Sequence, residues 1–410
     1  MARVCMVVYN NYDSDGRVRR EAEALIERGD SVDCICLLET PGKAASLAGV
    51  RLFSVSGGKY RGNRFLPHLI SNLWFFCCAF LWVSFLHFRN RYDIVQVHTM
   101  PDFLVFTALV PKLLGAKVIL DVHDLVPEVY MAKFALTYQS WFVRLLLYME
   151  RRSIAFADRA ISVHRPHLDL LVAHGNPREK FCEVLNVPDH RIFVRNNVVN
   201  RSGERFRLIY HGSIARRTGM DVALRALALA RKQVPGLEFQ IVAAVGDIGP
   251  ARTIIKELDL TDCVFFSPPV PVHELPAIIL QANLGIIPYL ADVFNQYVLP
   301  TKLLEYAALG IPAIVSRLRA VEAYFNDDMV AYFQPGNETE LADQIVRLYR
   351  NPAIAAGIAS NAARFANVYN WENQREVYYQ LVDSLVPAPS FLETRRVKAE
   401  DRRSEDGVEI

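Results

Sequence analysis

Along most of the chain, short apolar runs alternate with longer stretches that are apolar on one helical face only. Arg3 to Tyr9 is the first such run, followed by a polar loop, Asn10 to Gly16, and a helical pattern from Arg17 to Arg28 that Gly29 closes. Ser31 to Leu38 is the next apolar run, so the chain begins as a strand–loop–helix–strand unit. Further buried strands are predicted at Asp93–His98, Lys117–Asp124, Arg159–Val163, Lys180–Val187, Phe206–Ser213, Leu237–Ala244, Leu284–Tyr289 and Ala313–Ser316. Helical patterns at Gln139–Ala157, Asp221–Gln233, Glu338–Arg350, Pro352–Asn367 and Trp371–Leu385 fall between or after them. Strands alternating with helices predict an α/β fold of doubly wound parallel sheets.

Two stretches depart from this rhythm. The first, Leu66 to Phe88, is the most apolar part of the chain and approaches a transmembrane length. Pro67, His68, Ser71 and Asn72 interrupt it, and it precedes a strand that belongs to the same sheet. It is expected to be a helix packed on that sheet, with an aromatic side (Trp74, Phe75, Phe76, Phe80, Trp82, Phe85, Phe88) toward a membrane interface. A fully buried core helix is the alternative. Arg61 and Arg64 before it, and Arg89 and Arg91 after, would favour anionic headgroups.

The second stretch, Leu299 to Pro312, reads as one short helix. Pro300 suits its first turn, Gly310 its left-handed end, and Pro312 forbids continuation. Leu303, Leu304, Ala307 and Ala308 fall on one side, and Lys302, Glu305 and Leu309 on the other. Helix-start amides and the Lys302 cation suit a phosphate, and the Glu305 carboxylate suits ribose hydroxyls. An exposed ion pair between residues three apart is the blander reading.

Composition narrows the class. With 410 residues the chain has room for two ordinary domains, and a formal charge of +2 gives no nucleic-acid footprint. Its seven cysteines show no paired zinc spacing and are expected to be reduced, mostly buried thiols of a cytoplasmic protein. The opening run is expected to be a buried first strand and not a signal peptide.

Candidate chemistry gathers at the carboxyl ends of strands, where ligands of open α/β sheets collect. His98, Asp102, His123 and Asp124 lie there. A metal site is a rival reading of the histidines, and Asp13-Ser14-Asp15 matches a short metal motif that is discounted as too common. Gly16 would let backbone approach a ligand, and Arg17 faces either the cleft or solvent. Gly212 and Ser213 end a strand in a tight turn, and Arg216 and Arg217 follow it before a helix start, a setting for a diphosphate.

The segment Pro300-Thr301-Lys302-Leu303-Leu304-Glu305-Tyr306-Ala307-Ala308-Leu309-Gly310-Ile311-Pro312 resembles the donor-site helix of the retaining GT-B glycosyltransferases of family four. His98-Thr99-Met100-Pro101-Asp102-Phe103, His123-Asp124-Leu125-Val126-Pro127-Glu128, the Asp15–Ala22 run and the boundary at Asn186 resemble bacterial members as well. The resemblance implies two Rossmann-like domains facing a cleft: residues 1–188 on the acceptor side, completed by a terminal helix at 371–386, and 204–370 on the nucleotide-sugar side. The tail, 387–410, is expected to be disordered.

It also implies site roles. Thr301, Lys302 and Glu305 hold the donor, with Glu305 on the ribose. His123 and Asp124 lie beside the donor sugar, and His98 faces the acceptor. Many members carry a further glutamate eight residues before the ribose glutamate; here that position is Tyr297, preceded by Gln296. Ser213 and Thr218 replace the family's usual diphosphate-binding arginine and lysine, leaving Arg216 and Arg217 as the cations.

The expected function is metal-independent, retaining transfer from a nucleotide-diphosphate sugar to a saccharide or lipid-linked saccharide in cell-surface polysaccharide synthesis. It needs no cofactor and no nucleic acid, and it is cytoplasmic or peripheral at the inner face of the plasma membrane. A sugar-nucleotide 2-epimerase of the same fold and an inactive nucleotide-sugar-binding protein remain open.

Overall fold

A computed structural model describes residues 1–37, 46–57, 60, 65–194, 205–246 and 248–386. Leu38, Arg61, Arg64 and the tail 387–410 lie outside these residues.

Two sheets organise the chain. The first contains β1 (Arg3–Asn11), β2 (Ser31–Leu37), β3 (Ser46–Leu47), β4 (Val50–Ser54), β5 (Ile94–His98), β6 (Lys117–Val122), β7 (Arg159–Ser162) and β8 (Phe181–Glu183). Its order is β3-β4-β2-β1-β5-β6-β7-β8. The second contains β9 (Phe206–Ile214), β10 (Leu237–Gly246), β11 (Val264–Ser267), β12 (Leu284–Ile287), β13 (Ala313–Ser316) and β14 (Ala331–Phe333), in the order β11-β10-β9-β12-β13-β14. The pairs among β1–β6 and among β9–β14 are parallel except β3 with β4. Two α/β layers of parallel strands are the expected fold class. The central strands are near-continuous Val, Ile and Cys because both faces of a parallel sheet are covered.

By packing, the chain falls into two compact units. One holds Met1–Asp121, Ser153–Ala160 and the described residues from Arg375 onward; the other holds Val122–Arg152 and Ile161–Gln374. In the first unit the end of helix Trp371–Asp383 is anchored by three bonds. The Tyr378 hydroxyl donates to Gln96 Oε1 at 2.7 Å, the Tyr379 hydroxyl to the Ala24 carbonyl at 2.6 Å, and Arg28 pairs with Asp383 at 2.8 Å. In the second unit, Leu208, Tyr210, Phe239, Ile241, Leu284 and Ile286 from the sheet form one core with the helix Met220–Ala230.

The apolar stretch is a single helix, Phe65–Asn90. Asn72, Phe75, Ala79, Val83 and Leu86 form its buried stripe, three and four residues apart. Phe75 lies against Tyr9 of β1 with ring centroids 4.6 Å apart. Leu66, Ile70, Trp74, Leu81, Phe85 and Phe88 are exposed. The helix is long and apolar enough to cross a bilayer by length and composition. Its polar interruptions coincide with the buried side: Asn72 is buried, and the half-buried Ser71 bonds the Tyr9 hydroxyl. A helix buried on all sides is therefore excluded.

Several elements differ from the sequence reading. Lys180–Val187 yields only a three-residue strand, because the chain turns away after Glu183 toward Pro188. Pro300 is the extended residue before the helix, which runs Thr301–Leu309, and Gly310 closes it at φ +68°. That helix is not amphipathic: Lys302 and Leu309 are as buried as Leu303, leaving Thr301 exposed and Glu305 half-buried. Arg17 is neither solvated nor at a surface, but buried among carboxylates.

Candidate active site

In the second unit, Lys302 lies beside the end of β9. Its Nζ stands 4.0 Å above the Tyr210 ring and 5.0 Å from that of Tyr289. Burial pushes its pKa down from the ordinary lysine value, opposed by Tyr210 and Glu305. Among the described residues no acid forms an ion pair with it. Gly212 makes room for this cation. A Cβ there would lie 3.3 Å from Nζ, and its φ of +108° is strained for other residues.

Glu305, one turn on, lies beside His211 of β9, with Oε2 and Nε2 3.1 Å apart. Burial, with Lys302 adding to it, depresses the His211 pKa to about 3, so the ring is neutral at physiological pH. A neutral imidazole beside Glu305 leaves the carboxylate its charge. His211 was missed from sequence, although it lies near the carboxyl end of its strand, just before Gly212, as His98 and His123 lie at theirs.

The two arginines are distinguished by their neighbours. Both are exposed, but the Arg217 guanidinium stacks 4.8 Å over Phe294, and its carbonyl accepts from Leu290 N–H and from Asn295 Nδ2. Arg217 also acts on Tyr289, whose phenol burial lifts to about 12 and Arg217 partly lowers. Gly219 closes this loop at φ +63°, and a Cβ there would lie 1.8 Å from the Pro288 carbonyl oxygen. Ser213 is exposed, and its carbonyl accepts from the Tyr210 hydroxyl at 2.6 Å.

A cavity of about 220 Å³ opens beside this end, lined by His123, Asp124, Asn186, Tyr297, Thr301 and Leu304 among others. Tyr289 and Phe294 line it too, which brings His123, Asp124 and Thr301 to the surroundings of Lys302 and Arg217. His123 Nε2 and Asp124 Oδ2 are 4.0 Å apart. Tyr297 is held by Arg319, whose guanidinium donates to its hydroxyl at 3.2 Å, and Arg319 N–H donates to Gln296 Oε1 at 3.0 Å. His164, also missed from sequence, lines the cavity as the cap of helix Arg165–Ala173, its Nδ1 accepting from His167 N–H. Burial lowers its pKa to about 4, with a hydrogen bond to the Tyr297 backbone in opposition. The signal for it was another strand-end histidine, followed by Pro166 in the first helical turn.

His98 and Gly16 belong to the first unit. His98 ends β5, fully buried, with Nδ1 2.9 Å from Asp121 Oδ2. Asp121 also accepts from Arg17 through both oxygens, at 2.8 Å each. A carboxylate so engaged is an orienting partner for the histidine. Gly16 is the first residue of helix Gly16–Glu27, whose cap is the Asp15 carboxylate accepting from Val18 N–H at 3.2 Å. A Cβ at Gly16 would meet no protein atom nearer than 3.7 Å, so no neighbouring protein group requires a glycine there.

Family models for "Glycosyl transferase 4-like domain" and "Glycosyl transferases group 1" match residues 16–186 and 205–351. The chain belongs to the group 1 glycosyltransferases. D-inositol 3-phosphate glycosyltransferase of Arthrobacter sp. strain FB24 is 26% identical over 192 residues, 44% of either chain. The amylovoran biosynthesis glycosyltransferase AmsK of Erwinia amylovora is 28% identical over 179 residues, 42% of this chain and 43% of its own. This group 1 chain thus spans less than two thirds of the length of the curated relatives it matches. Two solved structures share the GT-B fold across 94% of the chain. Sucrose-phosphate synthase of Thermosynechococcus elongatus has a TM-score of 0.76 at 17% identity, covered to 99%. Anabaena HepE in complex with UDP-glucose has a TM-score of 0.70 at 15% identity, covered to 100%.

Helix Val126–Phe134 takes part in a buried charge cluster. Glu128, in helix Val126–Phe134, accepts from the Tyr138 hydroxyl at 2.7 Å and lies 3.3 Å from His174 Nε2. Glu150 faces His174 Nδ1 at 3.1 Å. Burial alone would lower the His174 pKa, but its bonds to Glu128 and Glu150 outweigh this and hold it at about 9. A base raised above its unfolded value, about 6.5, stabilises fully below that pH and loses the contribution as pH climbs through the folded value. Chemical denaturation at pH 6 and pH 9.5 should therefore show wild type losing roughly 2–3 kcal/mol more than His174→Gln. Equal losses would mean that His174 carries no charge in the fold.

Proposed function

We propose that the protein is a retaining glycosyltransferase that moves a sugar from a nucleotide-diphosphate sugar to a saccharide or lipid-linked saccharide in cell-surface polysaccharide assembly. The observation that carries the reading is Lys302, a buried ammonium with no acid paired to it among the described residues, one helical turn from Glu305. Such a cation is costly in a free protein and fits an anionic ligand. In this assignment Glu305 takes the ribose, and Lys302, Arg217 and the Thr301 end of the helix take the diphosphate. Arg217 is preferred to Arg216 because it shares Tyr289 with Lys302. Gly212 and Ser213 border the diphosphate.

The bond from the anomeric carbon to the diphosphate oxygen breaks, and a bond to the acceptor hydroxyl oxygen forms. The hydroxyl proton leaves with the departing nucleoside diphosphate, whose negative charge the cations neutralise. They take a metal's place, so neither a metal nor another cofactor is required. His123 and Asp124 orient the donor sugar, with Tyr297, held by Arg319, where the family more often has a glutamate. His98 serves the acceptor side. The relatives named for amylovoran biosynthesis and as a D-inositol 3-phosphate glycosyltransferase support a transfer reaction.

Incubation with labelled sugar nucleotides and a membrane lipid extract tests the proposal. Labelled lipid or saccharide supports it. An isomerised nucleotide would mean a 2-epimerase, and binding without turnover an inactive binding protein.

A lipid-linked acceptor also calls for a membrane-surface location. The exposed Leu66, Ile70, Trp74, Leu81, Phe85 and Phe88 support an in-plane helix at the inner face of the plasma membrane. Wild type should float with anionic vesicles at low salt, and Trp74→Ser/Phe85→Ser/Phe88→Ser should remain below. A wild type that stays soluble would discard the membrane location.

A further inference from the structure

We propose that Tyr378 and Gln96 are positioning residues for His98, making the order of its ring depend on the docking of the terminal helix. The inference rests on the acceptor-side role assigned to His98. The first unit contains an unbroken line of buried polar side chains. The Tyr378 hydroxyl donates to Gln96 Oε1 at 2.7 Å. That fixes the Gln96 amide so that its Nε2 donates to Glu21 Oε2, at 2.6 Å. Glu21 Oε1 lies 3.3 Å from the Arg17 guanidinium, and Arg17 donates twice to Asp121 at 2.8 Å. Asp121 Oδ2 then meets His98 Nδ1 at 2.9 Å. Glu21, Gln96, His98, Asp121 and Tyr378 are all fully buried, and Arg17 nearly so.

Each link constrains the next. Asp121 as an ionised acceptor places the His98 proton on Nδ1 and so sets the tautomer of the ring. Two buried carboxylates share one guanidinium, so the geometry at Asp121 depends on how firmly Glu21 is held elsewhere. Burial foremost raises the Glu21 pKa, and the Gln96 bond and Arg17 oppose that shift. Glu21 holds the Gln96 amide by its Nε2 and Tyr378 by its oxygen, so the two partners together fix it. Without the hydroxyl one of those holds is lost, the amide is less firmly placed, and Glu21 and Asp121 compete differently for Arg17. Tyr378 of the terminal helix lies 282 residues after Gln96 in sequence, so docking is reported to the end of β5 through side chains.

The test uses the full chain with ring-labelled histidine, without substrates. The His98 ring signals are assigned by their loss in His98→Gln. Tyr378→Phe keeps the ring and removes one hydroxyl. Its His98 nitrogen shifts are expected to move, and its kcat to fall about fivefold, the kinetic equivalent of one neutral hydrogen bond, at an unchanged donor KM. Gln96→Met, similar in length and without hydrogen-bonding groups, should move the same signals and serves if Tyr378→Phe does not fold. Signals that stay in place in a folded variant overturn the proposal whatever the turnover. Because this readout needs no reaction, failure of the glycosyl-transfer reading would appear separately, as wild type without turnover.

Discussion

Lys302→Met is expected to melt at a higher temperature than wild type while losing turnover by about 10²–10³-fold. The lysine is buried, its charge faces two tyrosine rings, and no acid forms an ion pair with it among the described residues. Ring faces return only about 2 kcal/mol to a desolvated cation, and burial still pushes the lysine pKa down. A base whose folded pKa lies below its unfolded one binds fewer protons when folded. Wild-type stability should therefore rise as pH climbs toward the lysine range. Methionine keeps the length and volume and removes the charge, so the variant should lack that rise. Turnover suffers because the ammonium would otherwise meet the charge that develops on the leaving diphosphate. Differential scanning fluorimetry across pH, with turnover on the same samples, checks both halves. A variant that is less stable and fully active would make Lys302 a packing residue.

The bounds of the Lys302 helix were legible because Pro300 and Gly310 punctuate them locally, and the resemblance singled out its chemistry. Its surroundings were not. A helical wheel placed Lys302 on a polar side, whereas Tyr210, Tyr289 and Gly212 bury it from elements far away in sequence. Arg17 shows the same limit. Its partner Asp121 lies 104 residues on, so nothing in the Asp15–Ala22 run distinguishes a buried ion pair from a solvated side chain. The β3–β4 hairpin went unread for a different reason. Its turn, Ala48-Gly49, has positive φ at both residues, and alanine is not a residue that announces such a turn. The apolar helix was legible as a helix, but which of its sides is exposed emerged only from packing on β1.

Glu305→Ala should weaken nucleotide-sugar binding by roughly 2–3 kcal/mol, about 30- to 150-fold, while the protein remains folded. Bonds from ribose hydroxyls to a carboxylate contribute about 1.5–3 kcal/mol each and are rarely additive. His211 strengthens the expectation. Its ring, neutral because burial holds its pKa near 3, lies 3.1 Å from the carboxylate and does not cancel its charge. Glu305→Gln should fall between the two, keeping an acceptor oxygen and losing the charge. Calorimetric titration with a nucleoside diphosphate and its sugar conjugate measures both variants. Unchanged affinity in folded Glu305→Ala removes this residue from the donor site.

Gly219 has a consequence for how substitutions in this domain will be read. The Pro288 carbonyl oxygen occupies the space of any side chain there, and the positive φ adds a second penalty. In a saturation library, position 219 should therefore be as intolerant as a residue that touches the sugar nucleotide. Alanine should deplete about as strongly as tryptophan, because the first carbon atom already collides. Exposed Arg216, three residues before the left-handed bend, should accept a broad alphabet. A tolerance map would thus mark a backbone contact as sharply as a ligand contact, and the flat profile across residue sizes is what would separate the two.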